Sequence, residues 1–151
     1  DELLTVFNTL DIIQRTPSIK HVVYLSACGD FLGDPEHTID WMAGHTKVKP
    51  PVERALQHID SFTHTVIGPS LFFENDFQVR DAILHGRRWV QPFGAIGASR
   101  VAVADLAQAI EIAILDRGMR WNKKKIMMGS LKTYTVSFPT MMRSEFFFLS
   151  D

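Results

Sequence analysis

The stretch that decides the fold reads Thr65-Val66-Ile67-Gly68-Pro69-Ser70-Leu71-Phe72-Phe73-Glu74-Asn75. Its apolar beginning is typical of a buried strand, and Gly68-Pro69 ends that strand and opens an aromatic, Asn-containing loop. Ligands of open α/β sheets bind just beyond the carboxyl ends of the strands. The stretch therefore predicts a strand over residues 63–68 whose exit lines a ligand site.

The segments on either side predict further strands and helices in alternation. The apolar run 21–26, with its small-residue exit 27–30, predicts a strand covered on both faces, and residues 125–128 predict a last one. Apolar residues at helical spacing, or Gly and Pro residues that mark helix ends, predict four helices. These lie over 2–15, from Pro50-Pro51 onward, over 77–84 and from Asp105 to a C-cap at Gly118. Short strands are predicted at 88–90 and 100–102. This order indicates an α/β fold, with a mainly parallel sheet and flanking helices.

Composition narrows the class of protein. The 151 residues are 46% hydrophobic, enough for one domain with a real core. A net charge of −1 gives no global attraction to nucleic acid or to an anionic membrane. The apolar run 3–13 is too short to span a bilayer and lacks a basic flank. A single cysteine, Cys28, fits a reducing compartment and predicts a cytoplasmic protein, with the nucleus as a second location.

Several segments are predicted to be structural or irregular. Residues 30–46 carry Gly and Pro signals and predict a long loop, and residues 133–151 form a tail without a clean period. The run 123–125 is interpreted as a solubilising lysine turn. Cys28 is interpreted as a small packed residue, the alternative being a reactive thiol, for which the sequence shows no cationic neighbour. Because the spacings of His37, His45 and His58 match no common zinc pattern, no metal is predicted. The chain does not begin with Met, which suggests a fragment or a processed product.

Four segments together resemble the NmrA-like family, an atypical branch of the short-chain dehydrogenase/reductase superfamily. They are His21-Val22-Val23-Tyr24-Leu25-Ser26-Ala27, His45-Thr46-Lys47-Val48-Lys49 with Val52-Glu53, Pro69-Ser70-Leu71-Phe72-Phe73-Glu74-Asn75, and Arg100-Val101-Ala102-Val103-Ala104-Asp105-Leu106-Ala107. The resemblance implies a Rossmann-like fold that binds NADP or NAD. It assigns residues 1–132 to the C-terminal portion of such a domain.

The resemblance also implies that the phosphate-binding half is missing. Members of the family begin with a strand, a glycine-rich turn and a helix whose N-terminus holds the dinucleotide phosphates. The pairs Gly29/Gly33 and Gly94/Gly97 lack that strand-turn-helix context. The expected fold is therefore a partial Rossmann-like sheet without its N-terminal phosphate-binding half.

Two catalytic candidates follow from the resemblance. Lys49 corresponds to the lysine that holds the nicotinamide ribose, although it could instead be a solvated lysine, and Pro50 disfavours helical geometry at Lys49. His45 occupies the position of the superfamily's catalytic tyrosine and could transfer a proton, or it could be an ordinary polar loop residue.

The remaining candidates are cofactor contacts at two strand exits. Ser26 and Ala27 follow the first strand, where the Ser26 hydroxyl could face a cofactor or bond its own backbone. Pro69, Ser70 and Asn75 follow the second, where backbone and amide groups could bond a carboxamide. Phe72 and Phe73 would then supply an apolar wall or pack into the core.

Three hypotheses of function remain open at this point. In the first, the full-length protein is an NAD(P)-binding redox sensor that regulates a protein partner. In the alternative, it is an NAD(P)H-dependent oxidoreductase acting on a small carbonyl or quinone through Lys49 and His45. In the third, the chain as given is an incomplete domain with neither activity, and this hypothesis is favoured because half the sheet is missing from the pattern.

Overall fold

The computed structural model describes residues 2–29, 44–86 and 98–130, which form an α/β fold built on a parallel sheet. A 3-10 helix spans Gly44–Val48. The helices are α1 (Glu2–Gln14), α2 (Lys49–Gln57), α3 (Asn75–Gln78), α4 (Arg80–Leu84) and α5 (Val103–Asp116). The strands are β1 (His21–Leu25), β2 (Thr63–Pro69), β3 (Leu71–Phe72), β4 (Arg100–Val101) and β5 (Lys124–Met128).

The main sheet places β2 in the centre, in the order β1-β2-β5, and both pairings are parallel. Residues 64–69 of β2 are all buried, as expected of a strand paired on both edges and covered on both faces. The flanking strands are only partly buried. The predictions of an α/β fold, a mainly parallel sheet and strands near 21–26, 63–68 and 125–128 are confirmed.

Two apolar clusters pack on opposite faces of this sheet. Because side chains alternate along a strand, Val66 and Ile67 point to different faces. Val66 joins a cluster on the side of α1 and α2, formed with Leu10, Val52, Leu56 and Phe62. Ile67 joins a cluster on the side of α5, formed with Leu106 and Ala113. The sheet is thus enclosed between two helical layers, which leaves its strand ends as places where polar groups can gather.

Apolar residues recur at helical spacing along α1 and α5, and two of them are exposed instead of buried. Leu3, Val6 and Ile13 of α1 pack around buried Leu10. Phe7, by contrast, is exposed, and so is Ile114 on α5. An apolar stripe predicted from spacing alone is wider than the strip of sheet that each helix covers.

The entry into α2 differs from its prediction. Lys49 is the first residue of the helix, although Pro50 follows it, and the preceding residues 44–48 form a 3-10 helix instead of the end of a loop. Proline is tolerated in a helix's first turn because its missing N–H has no intrahelical partner there. The 3-10 helix brings the chain into α2 already in helical geometry.

The region after β2 is also more divided than predicted. Two short helices, α3 and α4, replace the single helix expected over 77–84, with a break at Val79. Leu71 and Phe72 form β3, which pairs in parallel with β4. At the other end, α5 stops at Asp116, and its C-cap is Arg117 and not Gly118, although both residues have positive φ.

Some predictions fall outside the described residues. These are the loop over 30–43, the strand at 88–90, the Gly94/Gly97 pair and the tail over 133–151. Within the described ranges, no helix has the length and apolar character needed to cross a membrane.

Candidate functional site

The exits of the three parallel strands lie side by side at the carboxyl edge of the sheet. Backbone pairing continues past the strands: the N–H of Ser26 donates to the carbonyl of Ile67 at 2.7 Å, and the N–H of Cys28 to that of Pro69 at 2.8 Å. The N–H of Ser70 donates to the carbonyl of Met128, also at 2.8 Å. Ser26, Ala27, Pro69 and Ser70 are therefore brought together, as a ligand site at this edge requires.

Ser70 carries a polar atom without a partner. Its Oγ is buried and forms no hydrogen bond to any described residue. A Cβ at Gly129 would lie 2.9 Å from this Oγ and would collide with the hydroxyl of Ser99. The absence of a side chain at Gly129 thus leaves room around the Ser70 hydroxyl, which can both donate and accept a hydrogen bond.

The Ser26 hydroxyl donates its hydrogen bond to a side chain and not to its own backbone. It donates a hydrogen bond to Oε1 of Glu53, a carboxylate on α2 that is 1% exposed. The same oxygen accepts a hydrogen bond from Nζ of Lys125 at 2.8 Å. Sequence reasoning missed Glu53 as a functional residue, because no spacing rule shows which helix residue meets the end of which strand.

Lys125 does not belong to a solubilising turn, which corrects that interpretation. It is part of β5, and its Nζ donates to the carbonyl of Gly29 at 2.6 Å as well as to Glu53. Lys123, in the turn before the strand, and Lys124, which starts the strand, are both exposed as expected. Lys125 therefore connects β5 to the exit of β1.

Lys49 lies near the end of β1, on the side of the sheet covered by α1 and α2. Its Nζ donates to the carbonyl of Leu25 at 3.4 Å and lies 3.7 Å from the Glu2 carboxylate. It also lies 5.5 Å from the centroid of the Tyr24 ring, within the range of a cation–π contact. His45 contributes backbone to the 3-10 helix before α2, and its side chain falls outside the described part of the structure.

Tyr24 has a buried hydroxyl without a hydrogen-bond partner among the described residues. Burial raises the pKa of this phenol far above its usual value, and the carboxylates of Glu53 and Glu2 add to the shift. Tyr24 is therefore a neutral phenol throughout the physiological range.

Asn75 opens α3, beyond β3. Its neighbours are tied to later elements: Oε1 of Glu74 accepts the N–H of Val103 at 2.9 Å, and Oδ2 of Asp76 pairs with Arg100 at 2.6 Å. Sequence reasoning missed both carboxylates. Within the described residues, no hydrogen bond links Asn75 to Ser70.

Cys28 is exposed, so its interpretation as a packed residue is wrong. Its Sγ lies 3.8 Å from the Sδ of Met127, an atom that also accepts the N–H of Gly29 at 3.3 Å. Cys28 leaves the sheet with the exit of β1, beyond the apolar layers.

The two aromatic residues of the second exit divide between their two interpretations. Phe72 packs against the α5-side cluster, as a core residue would. Phe73 lies at the surface, with the Arg100 guanidinium carbon 5.8 Å from its ring centroid.

Three cations near these exits are each paired with a carboxylate. The pairs are Lys49 with Glu2, Lys125 with Glu53 and Arg100 with Asp76. Because each positive charge already faces a negative one, the edge presents backbone groups and hydroxyls more than free charge. In the described ranges, no group of three His, Cys, Asp or Glu residues is arranged to hold a metal ion.

No protein-family model matches the sequence, and no curated protein matches it significantly.

Proposed function

We propose that this chain supplies the nicotinamide-side wall of a partial Rossmann-like, NmrA-like domain that binds NADP or NAD. In its full-length form the protein acts as a redox sensor that regulates a protein partner. The observation that carries the proposal is the convergence of the β1, β2 and β5 exits, together with the unpartnered hydroxyl of Ser70 at the end of β2. Such an edge is where open α/β sheets bind their ligands.

The residues at this edge fit a neutral amide better than a phosphate. A carboxamide has both donors and acceptors, which match the Ser70 hydroxyl and the backbone groups beside it. Phosphates are usually held by a glycine-rich turn at a helix N-terminus. No such turn occurs in the described residues, and Lys49 and Lys125 are already paired with carboxylates. The phosphate-binding half would therefore have to come from outside this part of the chain.

The environment of Lys49 supports sensing over turnover. Its ammonium is engaged by Glu2 and by the Leu25 carbonyl. The raised pKa of the nearby Tyr24 phenol keeps it protonated, so it is a poor general base for a reacting substrate. These contacts do not specifically support the alternative function, the reduction of a carbonyl or a quinone.

Titration of the 151-residue chain with two halves of the cofactor tests the proposal. We expect nicotinamide mononucleotide to shift the amide NMR signals of Ser26, Cys28 and Ser70, whereas adenosine 2′,5′-bisphosphate leaves them unchanged. The variant Ser70→Ala should weaken nicotinamide mononucleotide binding about ten-fold, as expected for one lost hydrogen bond. Ser61→Ala, at an exposed serine beside the opposite edge of the sheet, is the matched control.

Two results would count against this function. If nicotinamide mononucleotide shifts none of these amides at millimolar concentration, the carboxyl edge is not a nicotinamide wall. If the chain instead oxidises NADPH in the presence of a quinone, the sensor is wrong and the oxidoreductase alternative is right.

A further inference from the structure

The exit of β1, residues 26–29, is held by side chains that belong to other elements. The carbonyl of Gly29 accepts the Lys125 ammonium at 2.6 Å, and its N–H donates to the Met127 thioether at 3.3 Å. Both backbone polar groups of Gly29 are thus bonded by side chains of β5. At the other end of the exit, the Ser26 hydroxyl is bonded by Glu53 of α2.

Lys125 reaches this exit by passing across the central strand. In the sheet register Lys125 lies beside Val66 of β2, so β2 separates it from β1. A Cβ at Gly68 would lie 2.8 Å from Cε of Lys125 and 2.7 Å from the carbonyl oxygen of Ala27. Such distances are too short for real contacts, so the lysine chain crosses β2 where Gly68 has no side chain.

The charge of Lys125 is balanced by the carboxylate of Glu53, beside the β1 exit. Its side chain is 15% exposed, and that of its partner Glu53 is 1% exposed. A buried charge is tolerated when it is paired and hydrogen-bonded, and Oε1 of Glu53 receives both Lys125 and the hydroxyl of Ser26. One carboxylate and one ammonium therefore link α2, β5 and both ends of the β1 exit.

We propose that Lys125 and Glu53 are positioning residues, which hold the β1 exit in the conformation that forms one wall of the site. Gly29 has φ of 145°, a backbone conformation that other residues rarely adopt, and the exit follows an outer strand of the sheet that the described residues form. The backbone bonds of Ser26 and Cys28 tie this exit to β2 alone, and a segment paired on one side opens more readily than a central strand. The link from Lys125 and Glu53 pre-organises it, and pre-organisation increases affinity by lowering the entropy lost on binding.

The consequence for binding rests on the proposed function, whereas the effect on the exit itself does not. The single substitution Lys125→Met would leave the Glu53 carboxylate buried without its cation, which is strongly destabilising. The double variant Glu53→Gln/Lys125→Met removes both charges together and keeps an oxygen for Ser26. Lys124→Met removes a lysine of the same strand that is exposed and is the matched control.

Hydrogen exchange of two amides gives the primary readout. The Cys28 N–H bonds to Pro69 within the exit, whereas the Val66 N–H lies in the centre of β2. In the double variant we expect the Cys28 amide to exchange at least ten-fold faster, with Val66 unchanged and with weaker binding of nicotinamide mononucleotide. A merely structural ion pair would accelerate both amides by the same factor. Equal acceleration, or none at Cys28, would overturn the proposal.

Relaxation of the wild-type protein gives a second test that needs no variant. Backbone order parameters of Cys28 and Gly29 should approach the value of about 0.85 that is typical of rigid backbone. Values below about 0.6 would show that the exit is not held and would also overturn the proposal. If the exit proves rigid but nicotinamide mononucleotide does not bind, the proposed function fails while the positioning role of Lys125 and Glu53 stands.

Discussion

Two consecutive residues at the end of α5 adopt left-handed backbone for different reasons. Arg117 has φ of 54° and forms the C-cap, whereas Gly118 has φ of 77°. A Cβ at Gly118 would lie 2.6 Å from the side chain of Thr63, the residue that starts β2. The glycine is therefore required by a close approach as well as by its backbone, whereas at Arg117 only the backbone conformation favours glycine.

Opposite substitutions at these positions should give opposite changes in stability. Arg117→Gly relieves the cost of a side chain in the left-handed region and should raise the free energy of unfolding by about 0.5–1 kcal/mol. Gly118→Ala adds the clash with Thr63 and should lower it by more than about 1 kcal/mol. Urea unfolding of both variants measures these two changes in the free energy of unfolding. A stabilised Gly118→Ala would contradict the close approach of α5 to β2.

The sequence identified positions at the site more readily than their contacts. Ser26 and Ser70 were expected at the strand exits because small and turn residues follow apolar runs, and they lie there. The bond from Ser26 to Glu53 depends on how α2 packs on the sheet, and the path of Lys125 depends on a missing side chain one strand away. Neither relation leaves a periodic signal in the sequence.

At the scale of the elements, α5 begins without a cap of its own. Its N-cap is Ala102, whose side chain cannot accept a hydrogen bond. The N–H of Val103 donates instead to Oε1 of Glu74, which precedes α3. The carboxylate also lies at the positive end of the α5 dipole, where a negative charge is stabilising. A residue 29 positions away thus replaces the local cap and fastens α3 to α5.

Removal of this distant cap should destabilise the protein measurably. Glu74→Ala should lower the free energy of unfolding by about 1 kcal/mol, the usual cost of a lost N-cap. Glu74→Gln keeps the acceptor and should recover part of that loss, whereas Glu111→Ala, at an exposed site within α5, should change little. Chemical denaturation of the three variants provides the measurement. A loss with Glu74→Ala no larger than that with Glu111→Ala would mean that the cap contributes nothing.

Local sequence patterns explain which helices and strands could be predicted. β1, β2 and β5 and the helices α1, α2 and α5 carry apolar patterns that local rules detect. The short strand predicted at 100–102 is confirmed as β4. Its partner β3 was not predicted, because this two-residue strand has no pattern of its own and exists only where Leu71 lies beside Arg100. The break between α3 and α4 at Val79 lacks the Gly or Pro that would have marked it.

For the molecule as a whole, the centre of the sheet contains a polar side chain that the apolar layers enclose. His64 on β2 is 0% exposed, and neither ring nitrogen has a hydrogen-bond partner among the described residues. Burial lowers the pKa of this imidazole, and the nearby charges of Lys123 and His21 lower it further. Burial likewise lowers the pKa of His21, although Ala113, Asp116 and Thr63 partly offset that effect. The folded molecule therefore favours the neutral form of both histidines.

The stability of the whole molecule should consequently decrease in mild acid. Well above the ordinary histidine pKa of about 6.5, the ring of His64 is neutral in both states and stability is independent of its titration. As the pH falls below that value, the unfolded chain binds protons that the folded protein excludes, so the free energy of unfolding falls until the lowered pKa is reached. Urea unfolding between pH 8 and pH 5 should show this loss.

Substitution of His64 distinguishes its contribution to the loss of stability in acid from that of the other histidines. His64→Leu removes a group that cannot bond where it lies, so it should leave stability at pH 8 unchanged or raise it by about 1 kcal/mol. It should also reduce the loss toward pH 5, leaving the part that belongs to His21. His58→Gln, which removes an exposed histidine outside the sheet, is the matched control variant. If His64→Leu retained the whole acid-induced loss, the dependence would arise elsewhere and the buried imidazole would not limit stability in acid.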